Sequence, residues 1–291
     1  MKKISAIDIG SNSIKQRIYS FDQETCDLKE DKTLRKRIPV RLGKDIYSSK
    51  SKIFSDSTIN KLGKILRSFE KTIHDQGIKS YRACATAAFR KASNKKQTID
   101  QLKDYSSIDI EIISGIEEIQ LVGGLKHPSM ESAENFILAD VGGGSTDILV
   151  KHRNKIIDCA TYPIGSVSLN QIKIKKKTWK KMYAWLDKFN KMGIEKVIGV
   201  GGGIRGLLGR YEKMSATHDE FELLRRDIIE MDKDERKAFF KIPTDRAELI
   251  HHSAYIYSNI LRQTGINKIS AIPWGLTEAI AYSQVNDTTR K

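Results

Sequence analysis

The sequence predicts an α/β fold built from two related lobes, and three observations lead to this prediction. Strand-like apolar runs alternate with helical patterns along the 291 residues, and only five prolines interrupt them. Two strand–glycine–strand segments of the same design lie well apart in the chain, near residues 5–21 and 138–153. The composition is 39% hydrophobic, which is enough to build an apolar core in each lobe. We therefore expect each glycine segment to open its own lobe.

The two glycine segments read "SAIDIGSNSIKQRIYSF" and "LADVGGGSTDILVKHR". In each, an apolar strand ending in Asp-x-Gly passes through a turn of glycines and hydroxyl residues into a strand rich in β-branched residues. The aligned pairs are Asp8 with Asp140, Gly10 with Gly142, and Ser13 with Ser145. A tight hairpin alone would need two glycines at most, whereas the second segment has three in a row.

Helical patterns lie between these segments. Residues 57–76 carry apolar side chains at helical spacing, with Ser57 or Asp56 as the predicted N-cap and Gly77 as the stop. A strand changes to a helix around Thr86 in "YRACATAAFRKASN". These alternations are typical of an α/β fold.

Two further junctions are predicted. The strand in "DIEIISG" ends at Ser114, which opens a helix in the pattern Ser-x-x-Glu, a capping box with Glu117. A buried strand over Val197–Val200 runs into a third glycine segment, and a helix is expected from Ile204 onward.

The net charge of the chain narrows the classes of molecule that it is expected to bind. Lys and Arg number 51 against 36 Asp and Glu, a net charge of +15 that favours a polyanion such as nucleic acid, a phosphate polymer or a nucleotide. No apolar run approaches the roughly 18 residues of a membrane span, so no membrane partner is expected. Cys26, Cys84 and Cys159 are too few for a disulfide framework or a zinc site, and we expect a cytoplasmic protein.

The glycine turns suit a phosphate group. Phosphate oxygens need several N–H donors at once, and residues without a Cβ let the backbone approach that closely. Aspartates at the strand ends cannot favour an anion directly, so a divalent cation between carboxylates and phosphate is implied. The hydroxyl donors are Ser11, Ser13, Ser145 and Thr146, and the aspartates are Asp8, Asp140 and Asp147.

Six motifs in fixed order carry a resemblance to a known family. They read "AIDIGSNSIK", "VRLG", "ATAAFRKASN", "IISGIEEIQL", "DVGGGSTDILV" and "GVGGGIRGL". In their order and spacing the chain resembles the exopolyphosphatase and guanosine-pentaphosphate phosphohydrolase (Ppx/GppA) family of the actin, sugar-kinase and heat-shock-chaperone ATPase superfamily. The resemblance extends to the closing "GLTEAIAY".

The resemblance implies an α/β fold of two duplicated actin-like (ribonuclease H-like) lobes with a cleft between them. It implies the short two-domain form, with one lobe over residues 1–121 joined by a C-terminal helix at about 279–291, and the other over 122–278. The implied enzyme is a hydrolase of phosphoanhydride bonds that releases terminal orthophosphate from inorganic polyphosphate with Mg²⁺.

The resemblance also assigns residues. Implied phosphate-binding residues are Ser11, Asn12, Ser13, Arg90, Gly142, Gly143, Gly144, Ser145, Thr146, Gly202, Gly203 and Arg246. Implied metal ligands are Asp8 and Asp140. A glutamate of "SGIEE" would be the base for water; we favour Glu118 over Glu117, because the cap at Ser114 engages Glu117, and Asp147 is the next candidate.

Departures from the family pattern indicate a divergent member. The second loop usually ends in Ser-Thr-Glu where this chain has Asp147, and Ala87 and Gln120 replace a usual serine and arginine. Two alternatives to polyphosphate hydrolysis therefore stay open. They are a guanosine pentaphosphate (pppGpp) 5'-phosphohydrolase and a non-catalytic nucleotide- or alarmone-binding sensor. No sequence-specific nucleic-acid partner is expected, and a homodimer stays open.

Two other features have simpler interpretations. The lysines of residues 173–185 could follow a long polyphosphate, but a solvated helix face is the default. His251 and His252 are adjacent and should point apart on a helix, which argues against a shared metal.

Overall fold

The computed structural model of the chain describes residues 2–22 and 27–289. Two units separate by their internal contacts: Met1–Leu125 together with Leu276–Lys291, and Lys126–Gly275. We call them unit 1 and unit 2. Cys26 lies outside the described residues, as do the last two residues of the C-terminal helix expected at about 279–291.

Unit 1 opens with a β-hairpin. Its elements up to residue 125 are β1 (Lys2–Ile9), β2 (Ser13–Phe21), β3 (Leu28–Glu30), β4 (Lys36–Pro39), α1 (Leu42–Ser48), α2 (Asp56–Asp75), β5 (Ser80–Ala85), α3 (Ala87–Lys91), α4 (Lys95–Leu102), β6 (Ile110–Ile112) and α5 (Gly115–Gly123). In its sheet, β1 is antiparallel to β2 and parallel to β5, and β5 is parallel to β6. The described strands follow the order β3-β2-β1-β5-β6, with β4 also pairing with β2.

Unit 2 repeats this plan. Its elements are α6 (Pro128–Glu131), β7 (Phe136–Val141), β8 (Thr146–His152), β9 (Lys155–Tyr162), α7 (Ser166–Gln171), α8 (Lys176–Leu186), β10 (Lys196–Val200), α9 (Gly202–Leu208), β11 (Ser215–Thr217), α10 (His218–Glu230), α11 (Lys233–Phe240), α12 (Thr244–Ala247), α13 (Ile250–Thr264) and β12 (Lys268–Ala271). The strand order is β11-β12-β10-β7-β8-β9. The chain then returns to unit 1 in α14 (Leu276–Thr289).

The two sheets share one topology. In each, a hairpin and a third antiparallel strand continue, beside the first strand, into parallel strands reached through helices, so β9-β8-β7-β10-β12 mirrors β3-β2-β1-β5-β6. A separate apolar core underlies each sheet. The predicted α/β fold of two related lobes is confirmed.

Two of three predicted helix starts shift. The side chain that caps α2 is Ser55, which accepts the N–H of Thr58, because the helix already begins at Asp56. Ser114 caps α5 as predicted and accepts the N–H of Glu117 at 3.1 Å. The third glycine segment is itself helical, because α9 begins at Gly202 rather than at Ile204.

Helix length and polarity bear on the membrane question. Within residues 2–22 and 27–289, no helix combines the length and the apolar character that a membrane span needs.

Candidate functional site

The second glycine turn joins β7 to β8. The N–H of Gly142 donates to the carbonyl of Ser145 at 3.0 Å and closes the turn. The carbonyl of Gly142 accepts the N–H of Ser166 at 3.0 Å. The carbonyl of Gly143 accepts the N–H of Val167 at 2.8 Å and the N–H of the next residue, Ser168, at 3.0 Å. The first N–H groups of α7, which have no partner inside the helix, are thus used to hold the loop.

Because α7 binds the carbonyls of the loop, the N–H groups of the loop point away from that helix. The N–H groups of Gly143 and Gly144 donate no hydrogen bond within the described part of the chain. Gly144 is nevertheless buried, and a buried N–H without a partner is costly. Adjacent open amides on a turn are able to donate together to one anion, which is compatible with the phosphate site expected from the sequence.

Gly165 supports this loop and was not anticipated from the sequence. A Cβ atom at this position would lie 2.5 Å from the carbonyl carbon of Gly143 and 2.6 Å from the nitrogen of Gly144. The hydroxyl of Thr146 donates to the carbonyl of Ile164 at 2.6 Å and fixes the same segment. The signal in the sequence was a glycine between a strand and a helix in "TYPIGSVSL".

The first glycine turn is built in the same way. The N–H of Gly10 donates to the carbonyl of Ser13 at 3.2 Å, the counterpart of the bond that closes the second turn. The carbonyl of Asn12 accepts the N–H groups of Val40 and Arg41 at 3.1 and 2.9 Å. The motif "VRLG" therefore holds this loop as the start of α7 holds the other.

Ser11 presents an unused donor in the first turn. Its carbonyl accepts the N–H of Gly43 at 2.8 Å, which fixes the backbone. The residue is only 4% exposed, yet its hydroxyl has no hydrogen-bond partner among the described residues. Buried hydroxyls are normally paired, so an unpaired one in a glycine turn indicates a place for a ligand oxygen.

The two turns differ in charge at equivalent positions. Asp8 stands opposite Lys15 across β1 and β2, and the Lys15 ammonium donates to Asp8 Oδ2 at 2.6 Å. Asp140 stands opposite Asp147 across β7 and β8. One hairpin thus pairs its aspartate with a lysine, whereas the other places two aspartates across from each other.

Asp147 is held within its own hairpin. It is 2% exposed; its Oδ2 accepts from the hydroxyl of Ser145 at 3.0 Å, and its Oδ1 accepts from the hydroxyl of Thr161. Both carboxylate oxygens are therefore engaged, which suits a residue that positions the loop.

The residues fit a magnesium ion in part. The described residues hold no group of three or more His, Cys, Asp or Glu side chains able to bind a metal alone. Magnesium is commonly held by one or two carboxylates, with water and substrate phosphates completing the shell, so a single aspartate is sufficient. Asp140, half-buried beside Gly201, suits this role. Asp8 suits it less, because Lys15 already occupies one of its oxygens.

Arg90 and Glu118 form an ion pair in unit 1. Arg90 Nη1 donates to Glu118 Oε2 at 2.8 Å and to the carbonyl of Ile113 at 3.0 Å. Glu118 is 9% exposed, whereas the Glu117 carboxylate is partly exposed and accepts from Arg82 at 3.2 Å. The predicted capping box is wrong in its second half, since Arg82 attracts the Glu117 carboxylate away from the N–H of the cap.

The third glycine segment lies under an arginine. Gly201 has φ +92°, a backbone conformation that side chains rarely adopt. A Cβ at Gly202 would lie 2.7 Å from the guanidinium carbon of Arg246, and a Cβ at Gly203 would lie 2.6 Å from the hydroxyl of Ser253. The structure therefore brings Arg246 onto the glycines that the sequence assigned to the same site.

His251 and His252 do not point apart. Their ring centroids lie 3.9 Å apart, because the rings lean together at the start of α13. Arg236 Nη1 contacts His251 Nδ1 at 3.0 Å, and Asn170 Oδ1 contacts His252 Nε2 at 3.3 Å. Burial, His252 and Arg236 lower the pKa of His251 to about 3.

Comparison with known proteins decides the family. The sequence profile of the Ppx/GppA phosphatase family matches residues 30–288, which is most of the chain. The chain belongs to the Ppx/GppA phosphatase family.

Solved members of the family share the fold. An exopolyphosphatase from Cytophaga hutchinsonii superimposes with a TM-score of 0.81 at 20% identity, covering 98% of each chain. A Ppx/GppA family member from Aquifex aeolicus gives 0.78 at 21% identity, covering 99% of this chain and 98% of that one. At these identities, the superpositions establish the fold.

A curated relative is longer. The bifunctional 3-dehydroquinate synthase/phosphatase of Fusobacterium nucleatum is 28% identical over 236 residues, which cover 74% of this chain and 35% of that protein. The chain thus spans about a third of the length of this relative.

The Ppx/GppA resemblance drawn from the six motifs is confirmed. The predicted hydrolase agrees with membership of a phosphatase family. The roles of individual residues stay predictions, and so do the substrate and the metal.

Proposed function

We propose that this Ppx/GppA protein is an exopolyphosphatase that releases terminal orthophosphate from inorganic polyphosphate by attack of water. The observation that supports it best is the pair of open amides at Gly143 and Gly144, on a loop whose carbonyls are held by α7. Such a loop gains its partners only when an anion binds. The net charge of +15 favours a substrate that carries many negative charges.

Phosphate binding is assigned to both glycine turns. In the second turn, Gly142 to Ser145 present the backbone, and the adjoining Thr146 anchors it. In the first turn, the Ser11 hydroxyl donates to a phosphate oxygen, and Asn12 and Ser13 complete the turn. Gly202, Gly203 and Arg246 bind further phosphates of the chain.

Water activation is assigned to Glu118. Hydrolysis of a terminal phosphoryl group needs the phosphate fixed, its developing charge neutralised, and a water aligned opposite the leaving oxygen. Arg90 donates to Glu118 at 2.8 Å and to the carbonyl of Ile113 at 3.0 Å, so it fixes the carboxylate that would orient the water and accept its proton. We assign Arg90 to positioning Glu118 as well as to the phosphate, and Glu117 to its ion pair with Arg82.

A divalent cation completes the proposal. Magnesium, when bound with the substrate, would neutralise charge on the phosphate oxygens, with Asp140 as its carboxylate ligand and Asp8 as a second. Asp147 faces Asp140 across the hairpin and adds negative charge that favours a cation there.

The test compares phosphate release from long-chain polyphosphate, pppGpp and ATP at equal concentrations of cleavable bonds with Mg²⁺ present. We expect the largest kcat/KM for polyphosphate. A larger kcat/KM for pppGpp would replace the proposal by a pppGpp phosphohydrolase. Release from none of the three, together with binding of a nucleotide, would instead indicate a non-catalytic sensor.

A further inference from the structure

A run of the chain in unit 2 contains basic residues and no acidic ones. Between Asp158 and Asp187 there is no Asp or Glu. We call its six lysines the lysine face: Lys173, Lys175, Lys176, Lys177, Lys180 and Lys181. All six are exposed.

The lysines repel one another along α8. Lys176 and Lys180 are four residues apart on the helix, as are Lys177 and Lys181, so each pair places two positive charges on neighbouring turns. They also crowd the first turns of the helix, where the aligned peptide dipoles favour acidic residues. Local stability therefore opposes this arrangement, and such conflicts mark functional surfaces.

Apolar packing on the opposite side of α8 stabilises the helix. Met182, Trp185 and Leu186 are buried and join the apolar core of unit 2. The repulsion is thus offset by packing, and the charged side stays free to meet a polyanion.

The neighbouring aromatic residues argue against a platform for nucleic-acid bases. Trp179 packs edge-on against Tyr255, with ring centroids 5.6 Å apart and planes at 79°. It also contacts Tyr183, at 5.9 Å. Trp179 and Tyr255 line an open cavity of about 520 Å³ together with Lys173. Because Trp179 is committed to its neighbours, charge is the main property that the surface offers a ligand.

The lysine face is connected to the phosphate loop through α7. The first N–H groups of α7 hold Gly142 and Gly143, and the lysine face begins just after the other end of this helix. Six residues at 1.5 Å each place about 9 Å between the two ends. The lysine face therefore lies in the same unit as the phosphate loop, one short helix away from it along the chain.

We propose that the lysine face is a second binding site for inorganic polyphosphate, which holds an internal segment of a long chain while its terminus occupies the glycine loop of unit 2. This inference rests on the proposed function. The site raises the affinity for long chains and does not act on the terminal phosphoryl group. Short chains end before they reach it and do not depend on it.

The test substitutes Lys176, Lys177, Lys180 and Lys181 together by Gln. For long-chain polyphosphate we expect KM to rise at least 10-fold with kcat unchanged, and for tripolyphosphate we expect both constants to be unchanged. Counterion release predicts that the slope of log KM against log salt falls by about 0.7 for each engaged lysine. Melting temperature checks folding, and it should not fall, because like-charge repulsion is relieved.

The control removes the same charge elsewhere. Lys50, Lys64, Lys79 and Lys96 are exposed residues of unit 1, and their joint substitution by Gln should leave the long-chain KM unchanged. An equal rise in both quadruple variants, or in neither, overturns the second site. Loss of single-stranded RNA binding with an unchanged long-chain KM overturns it in favour of nucleic acid.

The result can be separated from a failure of the proposed function. If wild-type protein releases no phosphate from any chain, the proposed function fails, and direct binding of labelled long-chain polyphosphate decides the second site. Binding to wild type that is weakened at least 10-fold in the lysine-face variant supports it, and equal binding overturns it.

Discussion

Gly165 lies against the peptide group of Gly143, so a Cβ atom at position 165 would stand 2.5 Å from the Gly143 carbonyl carbon. Gly165→Ala must therefore displace the second glycine loop or the start of α7. We expect kcat/KM for phosphate release to fall about 10²-fold, as when transition-state hydrogen-bond donors are removed. Gly124→Ala is the matched control, because its Cβ would meet only ordinary contacts from 3.5 Å outward. Equal activity of the two variants would contradict a positioning role for Gly165.

The unpaired hydroxyl of Ser11 gives a prediction about stability and binding together. Ser11→Ala removes a buried group without a partner, so the free energy of unfolding should stay constant or rise. The KM for polyphosphate should rise about 10-fold, because a donor to phosphate is lost. Ser145→Ala should instead lower the free energy of unfolding by about 1–2 kcal/mol, since the Ser145 hydroxyl donates to the buried Asp147. Denaturant titrations measure this change in both variants. A loss of stability in the Ser11 variant would show that its hydroxyl is already satisfied.

Substitutions of the two glutamates of α5 distinguish a catalytic role from a structural one. Glu118→Gln keeps the shape and most hydrogen bonds but removes the basicity, so kcat should fall about 10²-fold while polyphosphate binding persists. Glu117→Gln weakens a partly exposed ion pair with Arg82 and should change kcat less than about 3-fold. Single-turnover kinetics on both variants make the comparison. An inactive Glu117 variant beside an active Glu118 variant would reverse the assignment.

Lys15 competes with a cation for Asp8. In Lys15→Gln the Asp8 carboxylate loses its charged partner at Oδ2, so half-maximal activity should need several-fold less Mg²⁺. Lys29→Gln removes an exposed lysine of β3 and should leave the Mg²⁺ titration unchanged. Activity of the wild type should vanish in chelator and return on adding Mg²⁺. Full activity in chelator would remove the cation from the proposal.

The histidine pair predicts an acid-sensitive stability. The pKa of His251 is lowered from 6.5 to about 3 by burial, by His252 and by Arg236. Below pH 6.5 the unfolded chain takes up a proton that the folded chain excludes, so stability is complete above this pH and declines as the pH falls toward 3. His251→Gln should show a smaller drop in melting temperature between pH 7 and pH 5 than wild type. Parallel profiles would show that His251 is protonated in the folded protein.

The sequence patterns predicted the structural features that depend on residues close together in the chain. Alternating apolar residues and glycine turns located both hairpins, and matched aspartates predicted that the two sheets are related. The helical spacing after Asp56 placed α2 to within a residue or two. Such features are local, so hydrophobic periodicity and turn chemistry are sufficient to find them.

Contacts between distant segments could not be predicted in the same way. Gly165 supports Gly143 through a steric contact that no local pattern encodes. The capping box at Ser114 failed in part because Arg82, 35 residues earlier in the chain, competes for the Glu117 carboxylate. The internal neutralisation of Asp8 by Lys15 depends on strand register, which the composition of a hairpin does not specify.

The return of α14 to unit 1 has a consequence for biosynthesis. Glu278 accepts from the buried Arg17 at 2.7 Å, and Gln284 donates to the carbonyl of Ser5 at 3.1 Å, so a sheet synthesised before unit 2 is completed by a helix synthesised after it. At 5–20 residues per second, translating the intervening unit 2 takes about 10–30 s. During that interval unit 2 can fold while the α14-facing surface of unit 1 is uncovered. We expect nascent unit 1, rather than unit 2, to need protection by chaperones in the cell.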